Sequence, residues 1–198
     1  MHQQYVDHFF RTGELKLSSY ESNRIIEDAV RRDHVEGTGD YVIVSRDRRL
    51  SYRLGARAFD QRMLCMSTSS NLDRMMSHFG VDGCFEVTNT TGFGFEIAKA
   101  LVAFRFGREG VVTYQDGYEK IFLLENHPHL LDLTLSAPSN EQLFSYIDII
   151  GRTDFDMLFT KPLQFQDEEE YRFNWLCAPK HPMLIRCPGA LKYCRKIT

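Results

Sequence analysis

The chain has 198 residues, 43% hydrophobic and 26% charged, with Gly 13 and Pro 6, values that exclude a disordered or fibrous protein. Its 24 basic and 27 acidic residues leave a formal charge of -3, which excludes wholesale coating of a polyanion, so any nucleic-acid contact must come from a local patch. No apolar run approaches the roughly 18 residues that span a bilayer, and MHQQYVDHFF lacks a basic n-region followed by an apolar stretch; a cytoplasmic protein without membrane contact is expected.

Neither repeat nor linker divides the sequence, so a single domain over residues 1–198 is expected. Tyr5, Val6, Phe9 and Phe10 fall at helical spacing between Gln3 and Arg11, ahead of Gly13, which suits the left-handed position after a helix. A short strand fits Glu14 to Ser18, with Leu15 and Leu17 on one face. A helix is predicted from Asn23 to Arg32, where Ile25, Ile26, Ala29 and Val30 form a stripe and Arg24, Glu27, Asp28 and Arg31 lie away from it. HVEGTGD, residues 34–40, reads as a loop. Strands are then predicted at Tyr41 to Ser45, Leu50 to Leu54, Met63 to Ser67, Cys84 to Thr88, Val111 to Gln115, Lys120 to Leu124 and Glu168 to Leu176. Helices fit Asn71 to Phe79, Phe93 to Phe106 and Asn140 to Ile150. Alternation of short strands with helices predicts an α+β fold.

The most informative stretch is FTKPLQFQDEEEYRFNW, residues 159–175, in which Pro162 favours a break before an aromatic strand. Alternation puts Glu168, Glu170, Arg172 and Asn174 on one face and Glu169, Tyr171, Phe173 and Trp175 on the other. With the aromatic face in a core, two carboxylates about 7 Å apart share the opposite face with a guanidinium. The carboxylates raise each other's proton affinity, and Arg172 can hold one ionised, which suits a base or a stabiliser of positive charge. On a solvated edge the same charges form only a surface ion pair. In RMLCMSTSSN, residues 62–71, an apolar strand runs into Ser67, Thr68 and Ser69, hydroxyls that can orient a ribose or an amide; Ser69 or Ser70 also suits the N-cap of the next helix.

The five cysteines are odd in number and lack CxxC spacing, which fits reduced thiols. Cys177, His181, Cys187 and Cys194 have zinc-ligand chemistry without a close CxxC or HxxxH pair, so no metal is expected. His127 and His129 flank Pro128 in a predicted turn. GFGFE, residues 92–96, lacks the GxGxxG spacing, and Phe93 and Phe95 read as core anchors at a helix start.

Jointly, FFRTGELKLSS, RRDHVEG, LCMSTSSN and KPLQFQDEEEYRFNW, spread over about residues 5–175, resemble the ADP-ribosyltransferase fold of compact bacterial defence and toxin-antitoxin proteins. Within that family the blocks are similar to the mRNA-modifying toxins of toxin-antitoxin-chaperone phage-defence systems. The resemblance implies split antiparallel and mixed β-sheets with flanking helices, NAD as co-substrate, and cleavage of its nicotinamide-ribose bond with transfer of ADP-ribose. Because the transition state is oxocarbenium-like, a carboxylate beside the ribose stabilises it. Glu170 looks like the catalytic glutamate of the family's Glu-x-Glu turn, and Glu168 like the residue that contacts or deprotonates the acceptor. Ser67, Thr68 and Ser69 resemble the Ser-Thr-Ser strand that shapes the nicotinamide pocket. ELKLSS departs from the pattern in offering no arginine to grip the dinucleotide; Arg31 is the first candidate and Arg24 the second, although Arg31 equally suits a helix-face pair with Asp28 or Glu27.

For the acceptor, Arg46, Arg48, Arg49, Arg53, Arg57 and Arg62 outnumber Asp47 and Asp60, with Tyr52 and Phe59 interleaved, a pattern that suits single-stranded RNA. A second basic region holds Lys180, Arg186, Lys192, Arg195 and Lys196, equally attractive to an acidic partner protein. The resemblance implies a nucleobase on RNA, mRNA adenine, as acceptor and an antitoxin protein as partner. Two alternatives stay open: ADP-ribosylation of protein arginine, which often accompanies Glu-x-Glu, and a non-enzymatic RNA- or protein-binding module on the same fold.

Overall fold

A computed structural model of the chain describes residues 1–25, 37–44, 51–57, 61–117, 119–123, 156–177 and 183–197. Helix α1 (Gln3–Thr12) turns Val6 and Phe9 into the core and ends at Gly13, whose φ of 73° lets its N–H reach the Phe9 carbonyl at 2.8 Å. Strands β1 (Glu14–Lys16) and β2 (Ser18–Ser19) follow, with Leu15 and Leu17 both buried as their spacing predicts.

Helix α2 (Tyr20–Ile25) begins ahead of the predicted Asn23 because two serines cap it reciprocally. The Ser22 N–H donates to Ser19 Oγ at 3.1 Å and the Ser19 N–H to Ser22 Oγ at 2.9 Å. The wholly buried Tyr20 sets the inward face, and Arg24, one turn on, is buried on it. Ile25 is consequently 74% exposed, so the predicted stripe is reversed at these two positions. Residues 26–32 of that predicted helix lie outside the described residues.

The chain continues through β3 (Thr38–Val44), β4 (Ser51–Arg57), β5 (Gln61–Ser67), α3 (Leu72–Phe79), β6 (Phe85–Val87) and α4 (Thr90–Ala100). Then come β7 (Phe106–Val111), β8 (Thr113–Gln115), β9 (Glu119–Leu123), β10 (Thr160–Pro162), β11 (Glu170–Leu176), β12 (Leu184–Arg186) and β13 (Cys194–Lys196). Short 3₁₀ helices occupy Asp156–Phe159, Leu163–Glu168 and Pro188–Tyr193. The architecture is α+β. Strands pair as an antiparallel four-stranded sheet in the order β2-β5-β11-β7 and a mixed three-stranded sheet in the order β4-β3-β9. Smaller two-stranded pairs are β1 with β12, β6 with β13 and, in parallel, β8 with β10.

Three sequence expectations are corrected. Thr38–Val44 is a strand from its first residue, so the predicted loop gives way at Thr38, where β3 already pairs with Arg57 of β4. The helix predicted to Phe106 stops at Ala100: Leu101 is extended, Ala103 has φ 50°, and Phe106 is already paired with Leu176 across β7 and β11. Competition from that sheet edge ends the apolar helical run. Phe93 is a core anchor at 0% exposure, but Phe95 is 62% exposed on the outer face of α4. The helix predicted at Asn140 to Ile150 lies outside the described residues, as do His127 and His129. Among the described residues no helix is long and apolar enough to cross a membrane.

The four-stranded sheet is covered on both faces. One face packs Phe173 and Trp175, stacked at 5.6 Å with an interplanar angle of 6°, into a core that includes Phe9, Phe93 and Ile97. On the other face Met63 of β5 packs with Tyr20, Leu158 and Phe159. Each strand residue of β11 therefore faces either an aromatic core or a closed polar layer.

Candidate functional site

Register puts the predicted residues on that second face. Strands β5 and β11 align Ser67 with Glu170, Cys65 with Arg172 and Met63 with Asn174, and the two-residue period keeps all six on the same side. The end of the hydroxyl segment thus meets the start of the acidic strand. They do not form a solvated edge: β11 lies inside its sheet, and Glu170, Arg172 and Asn174 are 2%, 0% and 2% exposed.

Glu168 departs from the prediction, since it ends a 3₁₀ helix and β11 starts only at Glu170. Between them Glu169 adopts φ 46°, a left-handed conformation uncommon for a residue with a side chain. Neighbours hold it there. The Glu169 carbonyl accepts from the Thr68 N–H at 2.8 Å and the Thr68 hydroxyl at 3.0 Å, and its carboxylate pairs with Arg74. Thr68 therefore fixes the turn that presents both flanking glutamates. Ser67 Oγ accepts from the Ser69 N–H at 3.1 Å, and Ser69 Oγ from the Asn71 N–H at 3.4 Å and from Arg74 Nη2 at 3.3 Å. The N-cap of α3 is Asn71, not Ser69 or Ser70; its side chain accepts from the Arg74 N–H at 3.1 Å. The short amide reaches the helix N–H from the position that directly precedes Leu72.

Among the described residues, the charges of this site are linked by hydrogen bonds. Arg172 Nε donates to Glu170 Oε1 at 2.6 Å and its Nη1 to the Leu158 carbonyl at 2.6 Å. Lys161, 5% exposed on β10, donates through Nζ to Glu168 Oε2 at 2.6 Å and to Glu170 Oε2 at 3.1 Å. Among the described residues, two carboxylates thus share two buried cations. Lys161 escaped the sequence reading because its role depends on the parallel pairing of β10 with β8; its only local signal was the position just before Pro162. Tyr114 was also missed: its hydroxyl accepts the Glu170 N–H at 2.8 Å, while the Glu170 carbonyl accepts from the Val112 N–H at 2.9 Å. Tyr20 completes the layer, donating to the Leu158 carbonyl at 3.0 Å and accepting from Asn174 Nδ2 at 2.5 Å.

These surroundings push the two carboxyls apart. Burial disfavours ionisation of Glu170, but the Arg172 guanidinium, the Lys161 ammonium and hydrogen bonds from Arg172 and Cys65 outweigh it and lower the group to about 2. For Glu168, burial prevails over Lys161 and raises the pKa above 4.5. Its second oxygen, Oε1, is buried without a hydrogen-bond partner among the described residues. Burial also raises the Tyr114 phenol. One carboxyl is held ionised beside one that takes a proton more readily, an arrangement suited to dividing charge stabilisation from proton transfer.

The remaining candidates separate. Arg24 is buried on the Tyr20 face of α2, whereas Arg31, Arg46, Arg48 and Arg49 lie outside the described residues. Arg53 is exposed and pairs with Asp40 at 3.1 Å and with Glu119, whereas Arg62 is 7% exposed. In the second basic region, Lys192 pairs with Glu96, Arg195 with Glu86 and Lys196 with Asp7. These cations close the fold's own surface. Cys187 and Cys194 are thiols raised by burial to about 11 and about 12.

A cavity of about 340 Å³ adjoins the site between β7, β8 and the three-stranded sheet. Tyr41, Arg108, Glu109, Glu119, Phe159 and Thr160 line it, and Thr160 directly precedes Lys161; Glu168 and Glu170 do not line it. Arg108 lies over the Phe159 ring at 5.6 Å, a stacked cation at the cavity wall. Compared with protein-family models, curated proteins and solved structures, the chain has no match.

Proposed function

We propose that the chain is an NAD-dependent transferase of the ADP-ribosyltransferase fold, a defence toxin that moves ADP-ribose onto a nucleobase of RNA, with mRNA adenine as the acceptor. The observation that carries this reading is the direct pairing of Ser67 with Glu170 across β5 and β11, with Glu168 joined to Glu170 through Lys161. The cavity beside them, where Tyr41, Phe159 and Arg108 stand with Glu109 and Glu119, supports it only by its size, which lies within the range of small-molecule sites.

In this reaction the bond between the nicotinamide nitrogen and ribose C1′ breaks, and its electron pair leaves with nicotinamide as a neutral base. Positive charge develops at C1′ and the ring oxygen, where the anionic Glu170 stabilises it. The acceptor nitrogen then bonds to C1′ and transfers its proton to Glu168, whose raised proton affinity favours that step. Ser67 and Thr68 hold the segment that aligns Glu170. Expression without an antitoxin arrests growth in this reading.

One observation favours a second reading. Both Glu170 oxygens already have cationic partners, at 2.6 and 3.1 Å, as in a buried ion network on a binding module. Labelled NAD, incubated with wild type and Glu170→Gln and with separate RNA, DNA and protein pools, distinguishes the two. The transferase labels RNA and loses at least about 100-fold in rate in the variant. Label on protein moves the acceptor to arginine, and a folded wild type that consumes no NAD leaves the binding module.

A further inference from the structure

Lys161 treats the two glutamates unequally. Its ammonium lies 2.6 Å from Glu168 and 3.1 Å from Glu170, with the three side chains 6%, 7% and 3% exposed. Glu170 has a second cation, Arg172, on its other oxygen at 2.6 Å, while Glu168 Oε1 has no hydrogen-bond partner among the described residues. From this asymmetry we propose that Lys161 is a positioning residue that divides the protons of the pair, helping to keep Glu170 anionic and holding Glu168 as the group that accepts and releases a proton. The catalytic meaning of that division rests on the transferase reading; the division itself is a property of the folded chain.

The fold leaves Lys161 little freedom to act otherwise. Strand β10 pairs in parallel with β8, aligning Lys161 with Tyr114, and Pro162 ends the strand one residue later. The Phe165 ring, 4.6 Å from Nζ, flanks the ammonium on the side of the following 3₁₀ helix. Among the described residues, the titratable groups that face the glutamate pair include Lys161 from β10, Arg172 on β11, the Tyr114 hydroxyl from β8 and the Cys65 thiol from β5. Among the described residues, Arg172 donates to Glu170 but not to Glu168, whereas Lys161 donates to both. Loss of Lys161 therefore strips Glu168 of its hydrogen-bonded cation but leaves Glu170 with one. The consequence is an unequal shift, larger at Glu168 than at Glu170, and its catalytic meaning is read from the pH profile of turnover.

The test is a titration of the glutamate side-chain carboxyl carbons by NMR in wild type, Lys161→Met and Lys161→Arg, followed by pH profiles of NAD consumption. In Lys161→Met the Glu168 step moves up by about one pH unit or more, and the Glu170 step moves less. Lys161→Arg, which retains the charge, returns the Glu168 step towards that of wild type. The acid limb of kcat moves with the Glu168 step in Lys161→Met, while KM for NAD stays within about twofold. An unmoved Glu168 step overturns the proposal. Should Lys161→Met fail to fold, Glu170→Gln gives the second reading: Glu168 loses a like charge and gains an undivided lysine, so its step must fall, and an unchanged step overturns the proposal equally. The titration needs no NAD. Shifted steps with no NAD consumption by wild type uphold the division and remove the transferase reading; NAD consumption with an unmoved step does the reverse.

Discussion

At the scale of single residues, the buried charges of β11 govern both chemistry and stability. The folded state lowers Glu170 from an ordinary 4.5 to about 2, so its stabilising contribution is fully present above about 4.5 and is lost as the pH falls towards 2. Glu168 has the opposite sign: its raised pKa contributes stability below the ordinary value, lost as the pH rises through the folded one. Acid unfolding of the wild type between about pH 4.5 and 2 should therefore be steeper than that of Glu170→Gln, as measured by denaturant midpoints at a series of pH values. Arg172→Met should cost about 3–5 kcal/mol, because it leaves the buried Glu170 with one cation of its two. Replacing both Arg172 and Glu170 by methionine should recover much of that loss. A cost below about 1 kcal/mol for Arg172→Met would refute the ion-pair account.

At the scale of elements, the two helix-ending glycines allow a controlled comparison. Gly13 and Gly80 both have positive φ, 73° and 59°. A Cβ on Gly80 meets nothing within 4 Å, so Gly80→Ala costs only the left-handed conformation, about 1 kcal/mol. A Cβ on Gly13 falls 2.7 Å from Pro188 Cα and 2.8 Å from its nitrogen, where β1 and the C-terminal segment join α1. That backbone has no rotamer by which to yield, so Gly13→Ala should lower stability by roughly twice as much or more, checked by thermal unfolding of both variants. Equal shifts would remove the packing role of Gly13. These helix ends were legible because glycine conformation is local, and so was the two-faced pattern of Tyr171, Phe173 and Trp175 against Glu170, Arg172 and Asn174. The start of α2 was legible in principle from Ser19 and Ser22, a capping pair with serine where glutamate is usual. Other features were not local. Arg24 is buried because Tyr20 reaches Leu158, 138 residues away, and α4 stops because Phe106 has a partner at Leu176.

At the scale of the whole molecule, chain ends and site are joined by pairings that no short window contains. Lys161 reaches the glutamates through β8, and strands β12 and β13, absent from the sequence reading, return the C-terminal segment to β1 and β6. Two kinds of interaction hold that return: the strand ladders with buried Cys187 and Ala190, and the exposed pairs Lys192–Glu96, Arg195–Glu86 and Lys196–Asp7. Exposed pairs gain little because water screens them and ordering long side chains opposes them, whereas a lost strand leaves the partner's backbone groups and Phe85 without cover. The two contributions can be separated. Lys192→Gln, Arg195→Gln and Lys196→Gln combined should move Tm by no more than about 2 °C, with the difference shrinking further at high salt. Deleting residues 194–198 removes β13 itself and should lower Tm by roughly three times that or more. If the charge variant falls as far as the deletion, the ion pairs and not the ladder fasten the C-terminal segment, and the basic residues there are structural in the strict sense. If only the deletion falls, those lysines and the arginine are energetically free to meet an acidic partner, and binding of such a partner should weaken steeply with salt.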